Sequence, residues 1–530
     1  MADTKISLLT ELATTDVVAG DWLPIVDTST GTTKKVDAGV FGNGPNVVTV
    51  GAGGMYATVT DAVTYINTTT RYTVIYDTGT ATLTNGAKAI TPSGGADFTD
   101  SAITGTANRS ELWLYLDSAD VFLPLQGMAP PLGTVTPATS WGDYGELKYN
   151  YEGTGAAKSY ELIKPNWYTI VLQPGETYDD TLVDWPLFTT LQGVDRESSI
   201  FRGSIVVDTS RPGFWASNVS WSAINGVAPT GSQEESFISV EDEVAAEEGY
   251  AEIVLQNISG GRGNADRDVV YRTSIGAKNG HALLQCIGSV FYSNYDAFQA
   301  IARNCIFKNN DIYVATQDTT TFEPTGFRWY SGTTAPETDL FLDFSGNNFF
   351  ISGAAGAKQA NGMLFIPDNV TYLSAPPDVY GRVYNNYIQV HQLGTGNATG
   401  IGTAAALFGA NDGRLLIDAN TFDLVSSGGT LRDIWTHASV SPLVLGANNV
   451  TKDGSALAIT GAPFRSENHG LSAAIASGAT IAHGMRATPT MISVLPTGAK
   501  TDVYATVDGT NITVNYGGGG TSTFHWKAEL

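Results

Sequence analysis

Asn, any residue, then a large apolar residue: this step recurs through the second half of the chain, at Asn304-Cys305-Ile306, Asn348-Phe349-Phe350, Asn386-Tyr387-Ile388, Asn420-Thr421-Phe422 and Asn448-Asn449-Val450. Short β-like runs precede the copies, such as Leu340 to Phe344 and Arg414 to Ile417. Successive Asn positions lie 44, 38, 34 and 28 residues apart, too irregular for a helical repeat array. A parallel β-helix accommodates such spacing, because each coil returns a strand and a bend to the same place while loops of any length bulge outward. Asn suits the bend because it tolerates the left-handed conformation and can hydrogen-bond the Asn of the next coil.

The bulk composition agrees. A chain of 530 residues is too long for one compact core, so several domains are expected. With 59 Gly, 42% apolar and only 15% charged residues, it reads as a turn-rich, all-β protein with enough apolar content for a core. A formal net charge of −24 repels phosphate backbones and anionic membranes, so no nucleic-acid partner is expected. No window approaches the ~18 apolar residues of a membrane span, and no basic region leads into an apolar stretch at the N-terminus. Neither membrane insertion nor a signal peptide is therefore expected, and folding is expected in a cytoplasm. Cys286 and Cys305 are the only cysteines. They sit in matching strand-like segments about one coil apart and are expected as reduced core thiols near each other on adjacent coils.

Five segments follow from pattern changes. Residues 1–46 hold a possible short helix at Ile6 to Leu12, a strand at Asp21 to Asp27, a turn at Thr30 to Thr32 and a return through Val36; so small a unit needs a partner surface. Residues 47–76 give a glycine turn and a helix carrying Ala62, Val63 and Ile66 on one face, capped by Thr60 or Asp61, as the start and cap of the solenoid. Residues 77–164 read as an inserted small β domain, with a hairpin signal at Asn85-Gly86. Residues 165–460 carry the β-helix, and 461–530 alternate as a small antiparallel sandwich.

Three stretches carry a resemblance. Asp16 to Val36, with Leu23-Pro24-Ile25-Val26, a Gly-Thr turn and Lys34-Lys35, resembles the N-terminal attachment modules of tailed-phage fibre and spike proteins. Gly51 to Ile66, continued by Ile170 to Val207, resembles the opening of pectin-lyase-like right-handed β-helices. Ile481-Ala482-His483-Gly484, Ala487-Thr488-Pro489-Thr490, Thr510 to Val514 and Trp526 look like a C-terminal β domain of phage tail appendages. The resemblance implies an all-β, homotrimeric tail fibre or tailspike: a right-handed parallel β-helix between an attachment module and a terminal sandwich. It further implies fixation to tail or portal-proximal adaptor proteins through Trp22, Leu23, Ile25, Val26, Lys34 and Lys35, and contact with host cell-surface glycan. The expected location is the virion, after assembly in the host cytoplasm. The alternatives are a depolymerase on the same scaffold and a head-attached fibre or decoration.

A depolymerase would need two carboxyls about 5–10 Å apart, one acid and one base or nucleophile. Candidates on expected rungs or short loops are Asp266, Asp268, Asp296, Asp311, Asp318 and Asp343. Gln317-Asp318-Thr319 resembles a fragment of the pectin methylesterase site, but that family's other motifs are missing. Asn264 to Asp268 alternates oxygen ligands like the start of a Ca²⁺ loop, without the glycine and distal Glu that complete one. Glu234 to Glu252 holds eight acids, expected on a solvated loop or surface helix. No His pair has metal spacing, His483 is expected to hold structure by hydrogen bonds, and neither metal nor cofactor is expected. Aromatic faces that stack on sugars point to Arg328, Trp329 and Tyr330 as glycan contacts.

Overall fold

The computed structural model describes residues 22–27, 32–37, 46–84, 87, 90–94, 112–116, 121–126, 146–147, 157–183, 185–208, 217–222, 224–227, 238–241, 251–260, 270–272, 281–293, 296–300, 302–315, 323–330, 340–354, 359–366, 379–403, 414–436, 443–446, 448–460, 464–465, 467–485 and 488–529. Most of them form a parallel β-helix with three faces.

The first face is a 12-stranded parallel sheet that opens with Val47–Val50 and Tyr168–Leu172. It continues through His281–Ile287, Ala302–Lys308, Leu340–Ser345, Val379–Tyr384 and Arg414–Asp418, and ends at Phe464–Arg465. The other coil strands separate into two ladders beyond Ser199–Asp208, whose first half pairs with Asn225–Val227 and second half with Ile238–Glu241. The second face then runs through Val290–Ser293, Asp311–Ala315, Asn348–Gly353, Tyr387–Gln392 and Thr421–Ser426. The third runs through Asp296–Ala300, Thr325–Tyr330, Gln359–Ile366, Asn397–Thr403 and Leu431–Thr436.

Parallel sheets are usually covered on both sides and read as unbroken apolar runs. Here only one side is covered, so inward and outward residues alternate, as in Asn348–Gly353 and Tyr387–Gln392. The inward set forms one continuous core, in which Phe298, Phe307, Phe327 and Phe344 contact one another from coil to coil. Cys286 and Cys305 are buried free thiols on adjacent first-face rungs, Cys305 pairing with Leu284 and Cys286 with Phe307. Burial pushes both thiols up in pKa, which leaves them unreactive.

The bend from first to second face holds two residues in each of six successive coils, from Asn257-Ile258 to Ala419-Asn420. Its first residue is left-handed: Asn257, Gly288, Asn309, Gly346, Asn385 and Ala419 all have φ between 49° and 68°. Its second residue is Ile258, then Ser289, and from the third bend onward Asn310, Asn347, Asn386 and Asn420, which with Asn449 form a buried ladder. Each Nδ2 donates to the Oδ1 one coil on, at 2.8, 2.9, 2.9 and 3.0 Å, and also to a first-face carbonyl one coil back. Each Oδ1 accepts from the side chain and the backbone N–H of the Asn before it.

The sequence reading is thus corrected in frame. Asn386 and Asn420 are ladder residues, but Asn304 lies in a first-face strand and Asn348 is the first residue of a second-face strand. The ladder residues nearest these are Asn310 and Asn347, and Asn449 takes the place given to Asn448. The two properties ascribed to one Asn are divided between neighbours, the left-handed turn at the first bend residue and the amide ladder at the second.

The helix Val59–Asn67 covers the N-terminal end of the core with Val59, Ala62, Val63 and Ile66. Its N-cap is Thr58, whose hydroxyl accepts from the Asp61 N–H at 3.1 Å. Between the first two rungs lies a six-stranded antiparallel sheet. Its outer strands in sequence are Tyr72–Leu83 and Ala157–Pro165, so residues 72–76 belong to this sheet and not to the solenoid opening. Leu83 pairs with Ile90 across the expected hairpin, whose Asn85-Gly86 turn lies outside the described residues. The sheet docks through Trp113 and Phe122 onto Phe188, a buried coil residue held at φ 54°, with Trp167 against its other side.

Trp22–Asp27 and Thr32–Asp37 pair antiparallel as the expected hairpin, while Ile6 to Leu12 lies outside the described residues. At the other end, Phe464–Arg465 still pairs with Leu443–Leu445, so the solenoid outlasts residue 460. Two three-stranded antiparallel sheets follow, around Ile512, Val514, Phe524, Trp526 and Ala528. Here His483 is buried: its Nδ1 accepts from Met485 N–H at 3.1 Å, so Nε2 carries the proton and donates to the Asp508 carbonyl at 3.0 Å. It holds the turn as a neutral hydrogen-bonding strut. Among the described residues no helix is long and apolar enough to cross a membrane.

Candidate glycan-contact surface

The candidate carboxylates do not converge. Asp343 faces outward on the first face, Asp311 on the second and Asp296 on the third. Asp266, Asp268 and Asp318 lie outside the described residues, as do the Asn264 to Asp268 segment and most of the acid cluster from Glu234. Three side chains on three faces of a packed core cannot flank one glycosidic bond. A second acid of the second face, Asp423, lies three rungs beyond Asp311. At a rung spacing of about 4.8 Å that is at least ~14 Å, beyond the reach of a hydrolytic pair.

On the third face Asp296 is buried beside Arg328, with Nε at 2.9 Å from Oδ2, and Gln299 donates to it at 2.7 Å. Burial pushes its carboxyl up, against the pull of Arg328, Gln299 and Thr325. Arg328 also donates to the Glu323 carbonyl and the Thr325 hydroxyl. Its guanidinium is therefore committed inside the wall. Trp329, only 1% exposed, packs into the core. Arg328 and Trp329 are corrected as sugar contacts for that reason: the strand alternation that turns Arg328 outward turns the Trp329 indole inward. Tyr330 pairs with Ile366 through its backbone; its side chain is outside the described residues.

The second face carries an outward aromatic column that invites the same role. Its rings are occupied with one another: Tyr292 and Tyr313 stack at 5.2 Å and 12°, Tyr313 and Phe350 at 4.8 Å and 10°. These separations match the rung spacing of about 4.8 Å, so ring faces meet ring faces and only edges point to solvent. Asp311 accepts from Asn348 at 2.7 Å. Asp423 collects Tyr387 Oη, Gln389 Nε2 and Lys452 Nζ at 2.9, 2.8 and 2.7 Å. Burial resists its ionisation, but these donors prevail and hold the carboxyl below its usual range.

The first face differs. Three neighbouring rungs set Lys308, then Phe341 and Asp343, then Arg382 and Tyr384 on its outer side. Asp343 pairs with Arg382 through the register, and Lys308 reaches it diagonally. Arg382 binds side-on, Nε to Oδ1 at 3.0 Å and Nη2 to Oδ2 at 3.3 Å, and Lys308 Nζ lies 3.1 Å from Oδ2. Burial works against the charge of Asp343, but Arg382 and Lys308 outweigh it and keep its carboxyl below the ordinary range. One carboxylate thus aligns two cations. Arg382 remains 52% exposed with Nη1 outside this pairing, and Phe341 and Tyr384 flank it at 43% and 42% exposed.

Gly381 sets this arrangement. It has φ 126°, and a Cβ there would lie 1.9 Å from the Leu342 carbonyl oxygen. Only glycine lets the strand press this closely on its neighbour while turning Arg382 and Tyr384 outward. Sequence reasoning found Asp343 but not Lys308, Phe341, Arg382 or Tyr384. A signal existed: Tyr380-Gly381-Arg382-Val383-Tyr384 alternates aromatic, cation and aromatic on one side of a strand. Among the described residues, no group of three His, Cys, Asp or Glu is placed to hold a metal ion.

No protein-family description matches the sequence, and no curated protein matches it. Among solved structures, the chain is similar to the Gp54 tailspike of Acinetobacter baumannii bacteriophage AP22, in complex with A. baumannii capsular saccharide: 11% identity, TM-score 0.30, 85% of this chain and 83% of that one. It is also similar to the tailspike gp49 of Pseudomonas phage LKA1, with 11% identity, TM-score 0.23 and 86% and 82% coverage. The tailspike gp61 of Pseudomonas phage phi297 gives 11% identity, TM-score 0.22 and 87% and 81% coverage.

Proposed function

We propose that this chain is the subunit of a phage tail appendage, a fibre or tailspike, that contacts host-surface glycan through the first-face patch of Lys308, Phe341, Arg382 and Tyr384. The observation that carries this reading is the patch itself: open aromatic rings beside an aligned guanidinium, on a rigid wall. Aromatic side chains and Arg are the residues that anchor most recognition surfaces. Sugars offer apolar C–H faces for the rings and hydroxyls for the guanidinium. The shaft supplies rigidity, and the Trp22–Asp27 hairpin, with Trp22, Leu23, Ile25, Val26, Lys34 and Lys35, supplies attachment to tail or portal-proximal proteins. Three such chains side by side make the working appendage.

The test is binding of purified full-length protein to polysaccharide from cells that the particle adsorbs to. Replacing Phe341 and Tyr384 together by Ala is expected to weaken binding at least tenfold; unchanged binding overturns the placement. Release of defined oligosaccharides in the same incubation would favour the depolymerase reading instead. Particles assembled with a chain lacking residues 1–46 are expected to lose the protein. Retention would refute N-terminal attachment, and mapping to the capsid would favour a head fibre. Trimers resistant to detergent in unheated gels are expected; a monodisperse monomer would sink the trimer.

A further inference from the structure

We infer that the saccharide bound at the first-face patch is anionic, carrying a carboxylate or phosphate on the unit that sits over Arg382; this rests on the glycan-contact reading above. The chain as a whole is strongly acidic, with a formal charge of −24. Against that background the patch is locally cationic: Lys308 and Arg382 are paired with a single carboxylate, Asp343, while Asp418, one rung beyond Tyr384, is turned to Asn448. At physiological salt, interactions beyond about 8 Å are screened, so the local cations decide what binds and the distant acids do not.

The geometry has a vacant donor edge. Arg382 spends Nε and Nη2 on Asp343. Among the described residues its Nη1 corner is oriented and has no partner, and guanidinium donors match carboxylate and phosphate oxygens better than they match neutral hydroxyls. The cost of holding the flexible Arg side chain still is met in the free protein by Asp343. Lys308, on the opposite side of the same carboxylate and 39% exposed, adds a second donor two rungs away. Tyr384 and Phe341, both exposed, stand on the strands of Arg382 and Asp343 and bring aromatic surface beside the charge. A ligand that satisfies all of these is a sugar ring carrying an anionic substituent.

The probes are immobilised oligomers of a hexuronic acid, a sialylated oligosaccharide, a glycerol-phosphate polymer and neutral dextran, read by biolayer interferometry with full-length protein. A carboxyl-reduced form of the hexuronate and a dephosphorylated form of the phosphate polymer are included, and these arms separate the two sources of charge. Expected is binding to at least one anionic probe, weakened tenfold or more when its charge is removed and by Arg382→Gln. Lys308→Gln, which removes the second cation and leaves the Asp343–Arg382 pair in place, is expected to weaken anionic binding about threefold and to leave dextran unaffected; no loss in a folded variant overturns the inference. Binding to dextran that Tyr384→Ala abolishes and Arg382→Gln leaves unchanged would preserve glycan contact and overturn the anionic class. Binding to no probe would overturn both.

Discussion

The ladder Asn residues show what a single side chain can contribute to such a fold. A carboxamide has two donors and two acceptor sites, and a buried one is costly unless they are filled. At Asn386 all four are filled, by Asn347, Asn420 and Phe344. Asn386→Leu would leave the Asn347 N–H and one of the two Nδ2 hydrogens of Asn347 without an acceptor. The expected loss is about 2–4 kcal/mol, read by denaturant unfolding. Asn348→Ala, one residue beyond the ladder and half-buried on the outer side, is expected to cost under about 1 kcal/mol. Equal costs at these positions would refute the assigned frame. Ala419 stands in the left-handed bend where three other coils have Asn. Left-handed backbone costs a residue with Cβ about 1–2 kcal/mol, and Asn tolerates it better. Ala419→Asn is therefore expected to raise the melting temperature by a degree or more. The frame was hard to read because Asn doublets stand at or beside the bends: Asn309-Asn310, Asn347-Asn348, Asn385-Asn386 and Asn448-Asn449. Either member followed by an apolar residue fits the same pattern, and only pairing across coils separates them.

At the scale of elements, the fold was legible wherever one coil repeats another. Strands, the capping helix and the terminal antiparallel sheets follow from period, turn chemistry and alternation. What was not legible is which outward residues of different coils become neighbours. Apart from the 122 residues between Val47 and Thr169, linear spacing between adjacent first-face rungs runs from 20 residues, for Val444 and Phe464, to 39, for Leu342 and Gly381. A motif search along the chain therefore could not assemble Lys308, Asp343 and Arg382. The aromatic segment at Phe327 to Tyr330 misled for a second reason: composition marks a good stacking residue, but strand phase decides whether its ring is outside. The third face imposes its own constraint. Gly326, Gly362 and Gly400 occupy one position in three successive coils, facing Phe349, Ile388 and Phe422 of the second face. A Cβ at Gly362 would lie 2.5 Å from Ile388 Cγ2 and 2.6 Å from the Gly400 carbonyl oxygen. Gly362→Ala is expected to destabilise by about 1–3 kcal/mol through overpacking. Ile388→Ala, which removes that Cγ2, should cost less in the Gly362→Ala chain than in the wild type when both are compared in thermal melts. Additive losses would show that the two columns do not touch.

For the molecule as a whole, charge sets the response to acid. Asp343 and Asp423 ionise more readily in the folded chain than an ordinary Asp, because cations and hydrogen-bond donors prevail over burial. Groups with lowered folded pKa contribute stability that is complete above the unfolded value, about 3.9 for Asp, and lost as pH falls through the folded value. The melting temperature should therefore be flat near neutrality with respect to these groups and fall below about pH 4. The gap between wild type and Asp343→Asn should close over the same range. A gap that widened in acid would contradict the assigned sign. The same acidification would release Lys308 and Arg382 from Asp343, so the first-face charge cluster and the fold respond to one titration.

The two-residue bend has a consequence for size. Insertions between the second, third and next first face lengthen a coil's path without moving its bend, so they leave the axial rise untouched. Twelve first-face rungs at about 4.8 Å each fix a shaft of roughly 50 Å. The shaft is thus a ruler graduated in turns: whatever residues its loops gain or lose, the distance from its first rung to its last stays the same.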